Sequence, residues 1–374
     1  MVIPFVPLRT TRKDGHENRM SCYLLLRDGT VSVILKGKLV NEGTNAYPRE
    51  GSICLQLEGW LVHYRNVKVK ELKMIRRRDL VLGAAFAPSL LTASGKASKF
   101  QLGCMTLPYA QFSLERALTG IKSAGYEYVA WGVTHMGTNG VQQPALAVHA
   151  TSAESAQLAA RCRSMGLEPV MMFATVQLES SDARDAHLRR IEQAAAARIP
   201  FLLTFGKTNP GQYSVFVENL KAIAPAAQKA GVMIVIKQHG GNTATGADCS
   251  RIVKEVGHEA VRICYDAGNV LDYENRDPIA DIQTCWRDIR AFNIKDHRNT
   301  PKDEDCGPGF GEIDHYKLFA AVMQTGHTIP LTFENIFEPL LPRPASAEAV
   351  DVLARRSREY IETVLRGLQA QQAL

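Results

Sequence analysis

Four short apolar runs decide the fold: VMIVIKQHGG (Val232–Gly241), VRICYDAGN (Val261–Asn269), AFNIKDHR (Ala291–Arg298) and IPLTFEN (Ile329–Asn335). Each has the length of a strand and ends in polar residues. Segments of helical length and pattern separate them. Strands that alternate with helices build a parallel sheet with right-handed crossovers. Chemistry in such sheets gathers at the carboxyl ends of the strands. Lys237, His239, Asp266, Asn293, Lys295, Asp296 and Glu334 are therefore expected to converge on one rim.

The same alternation extends upstream to Phe100. Strands are predicted at Phe100–Leu107, Tyr128–Trp131, Leu167–Ala174 and Pro200–Gly206. Helices are predicted at Leu114–Ala124, Ser152–Met165, Asp182–Ala197 and Tyr213–Ala230, with Gly125, Gly166 and Gly231 as stops past three of them. Asp248–Val256, Pro278–Ile289 and Tyr316–Thr325 fill the later gaps, and Val350–Arg366 closes the chain with Gly367 as its stop. Eight strand–helix units over residues 99–374 are what a closed (β/α)8 TIM barrel needs. The rival is an open doubly wound sheet, but no Gly-rich phosphate turn follows the first strand.

Composition narrows the function class. The 374 residues are 45% hydrophobic and 22% charged, ordinary for a globular chain, and the net charge is a modest +6. Part of that charge sits in the run Lys68–Arg78, without interleaved aromatics, so nucleic acid is not an expected partner. The eight cysteines show no metal-ligand spacing and read as scattered buried thiols. No apolar run reaches the length of a membrane span.

The first 73 residues read as an all-β fragment. Ser21–Leu26 and Val31–Leu35 flank Asp28-Gly29, a strong hairpin signal, and Ile53–Leu57 and Trp60–Val69 continue the pattern around Glu58-Gly59. Residues 74–98 have a basic start, an apolar stretch and a small-residue exit, with twin arginines at Arg77-Arg78. That is the anatomy of a secretory twin-arginine signal, against the plainer reading of an interdomain linker helix. Translation from Met74 would make the protein periplasmic or secreted, whereas a start at Met1 would keep it cytoplasmic.

The strand ends carry the candidate chemistry. Asp266 and Glu334 each close a buried strand, where a carboxylate must be paired, hydrogen-bonded or bound to metal; a helix N-cap or structural ion pair is the plainer reading of both. Alternation puts Lys237 and His239 on the side of Met233 and Val235, facing the barrel axis if Ile234 and Ile236 face the helices. Asn293, Lys295 and His297 share one parity and Asp296 the other, with a Lys295–Asp296 ion pair as the plain alternative. His135, His149 and His315 read as surface histidines. In the loop GPGFGEID (Gly307–Asp314), Asp314 reads as a helix cap.

Two resemblances follow from these residues. GTVSVILKGKLVNEG (Gly29–Gly43) and YPREGSICLQLEGWLVHYRNVKVKEL (Tyr47–Leu72) resemble the tail of the DUF1080 family, 3-keto-disaccharide hydrolases with a jelly-roll fold. The match covers too little of that family to include its active site. From about Phe100 to Arg366 the chain resembles the sugar phosphate isomerase/epimerase family, with its xylose isomerase-like TIM barrel. The motifs are YDAGN (Tyr265–Asn269), NIKDHR (Asn293–Arg298), GxGEID within Gly309–Asp314, and TFEN (Thr332–Asn335). That resemblance implies a divalent metal, Mn²⁺ or Mg²⁺, held by Glu, Asp, His and Glu at the strand ends. The matching positions here are Lys237, Asp266, Asn293 and Glu334, and the strand-two position where relatives carry Glu is Ala130. Asp266 and Glu334 alone make a degenerate metal site, so either no cofactor or a weakly bound divalent metal is expected. Lys237 would then supply the positive charge.

The implied function is isomerisation, epimerisation, or elimination and hydration next to the carbonyl of a sugar, a 3-keto sugar if the DUF1080-like tail is a guide. Glu334 or Asp266 is the expected general base, Lys237 the electrophile and His239 an acid or substrate contact. Lys207, Asn293, Lys295, Asp296 and His297 are expected to bind substrate. The alternative is a non-catalytic sugar-binding or partner subunit. A metal-dependent endonuclease of the same superfamily lacks both the ligands and the basic surface. Partners are expected to be a small-molecule sugar and, beyond it, a second copy of the chain or a DUF1080-type protein.

Overall fold

The computed structural model describes residues 97–372 and, before them, the backbone of seven short strands between Val2 and His63. Two compact units divide at Leu90. In the first, Val2–Pro4, Cys22–Arg27, Thr30–Leu35 and Lys38–Gly43 form a four-stranded antiparallel sheet in that order. Leu8–Thr11 pairs with Glu17–Met20 and with Val62–His63. The expected hairpin has Arg27 opposite Thr30. Ile53–Leu57, most of Trp60–Val69 and the signal-like segment up to residue 96 lie outside the described residues. So does the DUF1080-like stretch Tyr47–Leu72 apart from Val62 and His63.

The second unit is a closed parallel barrel. Its strands are β1 (Lys99–Met105), β2 (Tyr128–Trp131), β3 (Glu168–Phe173), β4 (Phe201–Thr204), β5 (Met233–Lys237), β6 (Val261–Asp266), β7 (Ile289–Ile294) and β8 (Thr328–Phe333). Each pairs in parallel with the next, and β8 closes on β1 with Leu331 opposite Leu102. Around it run α1 (Leu114–Ser123), α2 (Ser152–Ser164), α3 (Ala183–Ala197), α4 (Tyr213–Lys229), α5 (Gly246–Val256), α6 (Ala267–Glu274), α7 (Pro278–Ile282), α8 (His315–Ala320) and α9 (Ala347–Gln372). No described helix is long and apolar enough to cross a membrane.

The two-residue period of a strand sorts its side chains between two cores. Met105, Ala130, Met171, Leu203, Val235, Cys264 and Ala291 fill the inside of the barrel. Ile234, Ile236, Ile263, Phe292 and Phe333 point outward and pack under the helices. The parity expected for β5 therefore holds, and it carries Lys237 to the top of the interior. Gly125, Gly166 and Gly231 end their helices with φ of 88°, 75° and 68°, values that a side chain resists. Asp314 caps α8 by accepting from the Lys317 amide at 3.0 Å. The six described cysteines are free and buried.

Several expectations need correction. The run Ala291–Arg298 is not one strand. The chain leaves the barrel after Ile294, and Asp296–Arg298 pairs antiparallel with Glu304–Cys306. The run Val261–Asn269 is a strand that turns into α6 at once, because Asp266 accepts the Asn269 amide at 3.0 Å and caps the helix. Pro278–Ile289 shortens to α7, since Ile289 already opens β7. Gly367 does not stop α9, which continues to Gln372. His135 and His315 are not surface residues: they are 3% and 1% exposed, the first with Nδ1 3.3 Å from the Phe112 carbonyl.

Candidate active site

Lys237, Asp266, Asn293 and Glu334 stand at the carboxyl ends of four consecutive strands, β5 to β8. The strand register aligns them, with Asp266 opposite Asn293, while the Glu334 amide donates to the Ile294 carbonyl at 2.8 Å. The Lys237 ammonium donates to Glu334 Oε1 at 3.0 Å and Oε2 at 2.9 Å. It also lies 3.1 Å from Asp266 Oδ2. That second contact is an ion pair without hydrogen-bond alignment, since Oδ2 has no hydrogen-bond partner. Asn293 Nδ2 donates to Glu334 Oε2 at 2.8 Å, and its own oxygen accepts from Thr332 Oγ1 at 3.0 Å.

The electrostatics follow from one cation buried between two anions. Burial works against the Lys237 charge, but Glu334 and Asp266 outweigh it and hold the ammonium above its ordinary range. Burial likewise opposes the Glu334 charge, yet Lys237 and Lys295 outweigh it and hold the carboxyl well below the usual range. For Asp266 burial wins over both lysines, and its carboxyl is pushed up. Asp266 is fully buried, while the Glu334 side chain is 20% exposed. Glu334 is therefore the carboxylate of the pair that a ligand can touch. With Lys295 and Asp305 it lines a cavity of about 150 Å³, whose wall also includes Pro108, Phe337 and Arg343. A larger cavity of about 380 Å³ opens beyond β3 and β4, lined by Phe173, Thr175 and Phe205.

His239 follows Lys237 by two residues, on the same side. Its ring stacks on Phe205 with centroids 4.0 Å apart, and Tyr273 meets it edge-on at 5.5 Å. Burial and then the Lys237 charge push the imidazole down to about 4, so it is neutral at pH 7. Lys295 does not pair with Asp296. Its ammonium binds Asp305 Oδ2 at 2.5 Å. Asp296 is fully buried and accepts the amides of His297, Gly309 and Ile313, so it ties down the GPGFGEID loop. His297 is buried beside Asp305, with Nδ1 3.0 Å from Oδ1. Lys207 is exposed, and its amide donates to Glu179. Ala130 is inside the barrel with no exposed surface.

The divalent metal implied for this rim does not fit these residues. An ammonium lies between the two carboxylates where the cation would have to sit, and a lysine cannot ligate a metal.

Four functional neighbours escaped sequence reading. Gln238 accepts the Asp266 amide through its side chain at 2.9 Å, and its carbonyl accepts from Asn269 Nδ2 at 2.6 Å. Asn269 thus locks the start of α6 to the end of β5. Phe205 lies 5.7 Å beneath the Lys237 ammonium. Asp305 joins Lys295 to His297. The N in YDAGN was the available signal for Asn269; the other three lie outside any quoted motif or have outward parity.

A family model described as xylose isomerase-like TIM barrel matches residues 118–356, most of the barrel unit. The chain belongs to that family. Several solved structures superpose over nearly their whole length. An L-ribulose 3-epimerase aligns with a TM-score of 0.56 at 17% identity, covering 73% of this chain and 97% of its own. A xylose isomerase domain protein from Alicyclobacillus acidocaldarius gives 0.56 at 17% identity, with coverages of 72% and 99%. A D-allulose 3-epimerase from Methylomonas sp., solved with D-allulose, gives 0.53 at 17% identity, with coverages of 72% and 99%. At these identities the likeness is one of fold. No curated protein matches the chain.

Proposed function

We propose that the chain is a carbohydrate isomerase or epimerase that removes a proton next to the carbonyl of a keto sugar. The observation that carries this reading is Lys237 held between Glu334 and Asp266 at the rim, with Glu334 and Lys295 opening on a cavity. Two neighbours in fold are named as ketose 3-epimerases, which favours a ketose substrate. Glu334 is the base in this reading, because it is the accessible carboxylate. It takes the proton from the carbon beside the carbonyl, and the electron pair moves onto the carbonyl oxygen. Lys237 and Lys295 stabilise that oxygen as permanent positive charges preorganised in a desolvated site. The same charges hold Glu334 weakly basic until the enolate forms and draws them away. Neutral His239 offers a ring N–H to a substrate oxygen. Protonation of the same carbon from the opposite face, by water whose hydroxide is then neutralised by the proton on Glu334, epimerises the sugar; return from Glu334 on the first face restores it. Expulsion of a β-oxygen substituent, which takes up the proton from Glu334 as it leaves, would make the enzyme a lyase, and addition of water to the resulting enone a hydratase.

One observation favours a second reading, a sugar-binding or partner subunit. Lys237 is fully charged and bound on two sides, which is also what a purely structural ion triad looks like. Proton exchange separates the two. The full chain is incubated in D₂O with D-allulose, L-ribulose and a 3-keto-glucoside, and the carbon-bound protons are followed by NMR. Exchange beside the carbonyl, reduced roughly 10²–10⁴-fold in Glu334→Gln, supports the enzyme. A sugar that binds measurably and never exchanges supports the binding protein.

A further inference from the structure

The hairpin that follows β7 builds a second constellation beside the first. Asp296–Arg298 pairs with Glu304–Cys306, placing His297 opposite Asp305. His297 is 1% exposed, and its Nδ1 lies 3.0 Å from Asp305 Oδ1. An ionised carboxylate only accepts, so Nδ1 carries the hydrogen, which leaves Nε2 as the ring atom with a lone pair to offer a cation. That lone pair makes no hydrogen bond. It faces Asp303 Oδ1 at 3.2 Å, outside hydrogen-bond alignment, and Asp272 from α6. One ligand atom from each of Asp272, His297 and Asp303 lies within 4.8 Å of the others.

A buried lone pair aimed at two carboxylates is repulsive unless a positive charge stands between them. We propose that Asp272, His297 Nε2 and Asp303 bind a divalent first-row cation of the Mn²⁺ or Zn²⁺ kind, with Asp305 orienting the imidazole. Two oxygens and one imidazole nitrogen suit such ions. The Asp305–His297 hydrogen bond is the usual support of a metal-bound histidine, fixing its tautomer and its aim. Ligand distances of about 2.1 Å require the three atoms to draw slightly closer than they stand. Asp303, with a side chain 71% exposed, is the arm free to do so. Three protein ligands leave an open position for water or a sugar hydroxyl. Asp305 also binds Lys295, which ties this site to the cavity without making it depend on the reaction proposed above.

The test is calorimetric titration of the chelator-stripped full chain with Mn²⁺ and with Zn²⁺. One site is expected, weakened at least tenfold in Asp303→Asn and in His297→Gln. In Asp305→Asn the expected loss is about 10- to 100-fold. Glu334→Gln should leave the affinity unchanged. Because His297 is buried and its substitution also disturbs packing, the exposed Asp303 is the deciding position. Absence of binding at millimolar metal overturns the proposal. Binding that survives Asp303→Asn and disappears in Glu334→Gln overturns it too. That last outcome would place the metal at the rim and displace Lys237 from its role there, whereas the other outcomes leave the proton-exchange reading standing.

Discussion

Lys237 concentrates the energetics of the rim in one side chain. It is 3% exposed and neutralises a carboxylate that has no exposure at all. Replacing it with the similarly long Met removes the charge and keeps the volume. Two carboxylates would then face each other with no cation between them, and stranding a buried charge costs about 3–5 kcal/mol. Lys237→Met should therefore lower the urea midpoint markedly. Lys237→Met with Asp266→Asn should recover much of the loss, since the fully buried member is then neutral; a double variant as unstable as the single one would show that the charge triad is not the cause. Their places at strand ends brought Lys237, Asp266 and Glu334 to one rim, and parity turned Lys237 inward, because a strand alternates by two whatever surrounds it. Gln238 points the other way by the same rule. It was invisible because its role, holding the Asp266 amide, is set by how β5 and β6 end rather than by its own strand.

The elements were legible where one period ran uninterrupted, and not where two elements share a few residues. YDAGN is both the end of β6 and the start of α6, and one carboxylate, Asp266, serves the strand end, the helix cap and the ion triad. NIKDHR reads as a single strand because the chain stays extended after leaving the barrel, Asp296–Arg298 pairing with Glu304–Cys306, and the all-polar run after Ile294 does not mark the break. The glycine of YDAGN shows how closely these junctions pack. A Cβ on Gly268 would stand 2.6 Å from Lys295 Cγ and Cε, well inside van der Waals contact. Gly268→Ala should push the Lys295 stem aside and part it from Asp305, with α6 itself favouring alanine over glycine. A misplacement of about 1 Å in a positioned group costs roughly a hundredfold in rate. The expected outcome is proton exchange slowed to that degree, with the melting temperature little changed. Unaltered exchange would remove Lys295 from the reaction.

At the scale of the whole barrel, stability is coupled to protonation through histidines that the fold keeps neutral. His187 on α3 has no exposed surface; its Nδ1 donates to the Ala183 carbonyl at 2.7 Å, which leaves Nε2 to accept from Thr204 Oγ1 of β4 at 2.8 Å. Both nitrogens are thus committed with the ring uncharged, and burial pushes it down to about 4. His239 is pushed to about 4 as well, by burial and by Lys237. In the unfolded chain an imidazole titrates near 6.5. The unfolded state therefore takes up protons between about pH 6.5 and 4 that the barrel refuses, so stability is complete above that window and falls as pH drops through it. Glu334, held below its ordinary range, extends the loss to lower pH, whereas Asp266, raised by burial, acts in the opposite sense. Thermal melts should show the midpoint declining from pH 6.5 downward, earlier than carboxylates alone would cause. His187→Gln keeps a side chain able to donate and accept at that site but does not titrate, so its melts should decline less steeply between pH 6.5 and 4. Equal slopes for the two proteins would mean that the α3–β4 contact accommodates a charged ring, and that acid unfolding of the barrel begins elsewhere.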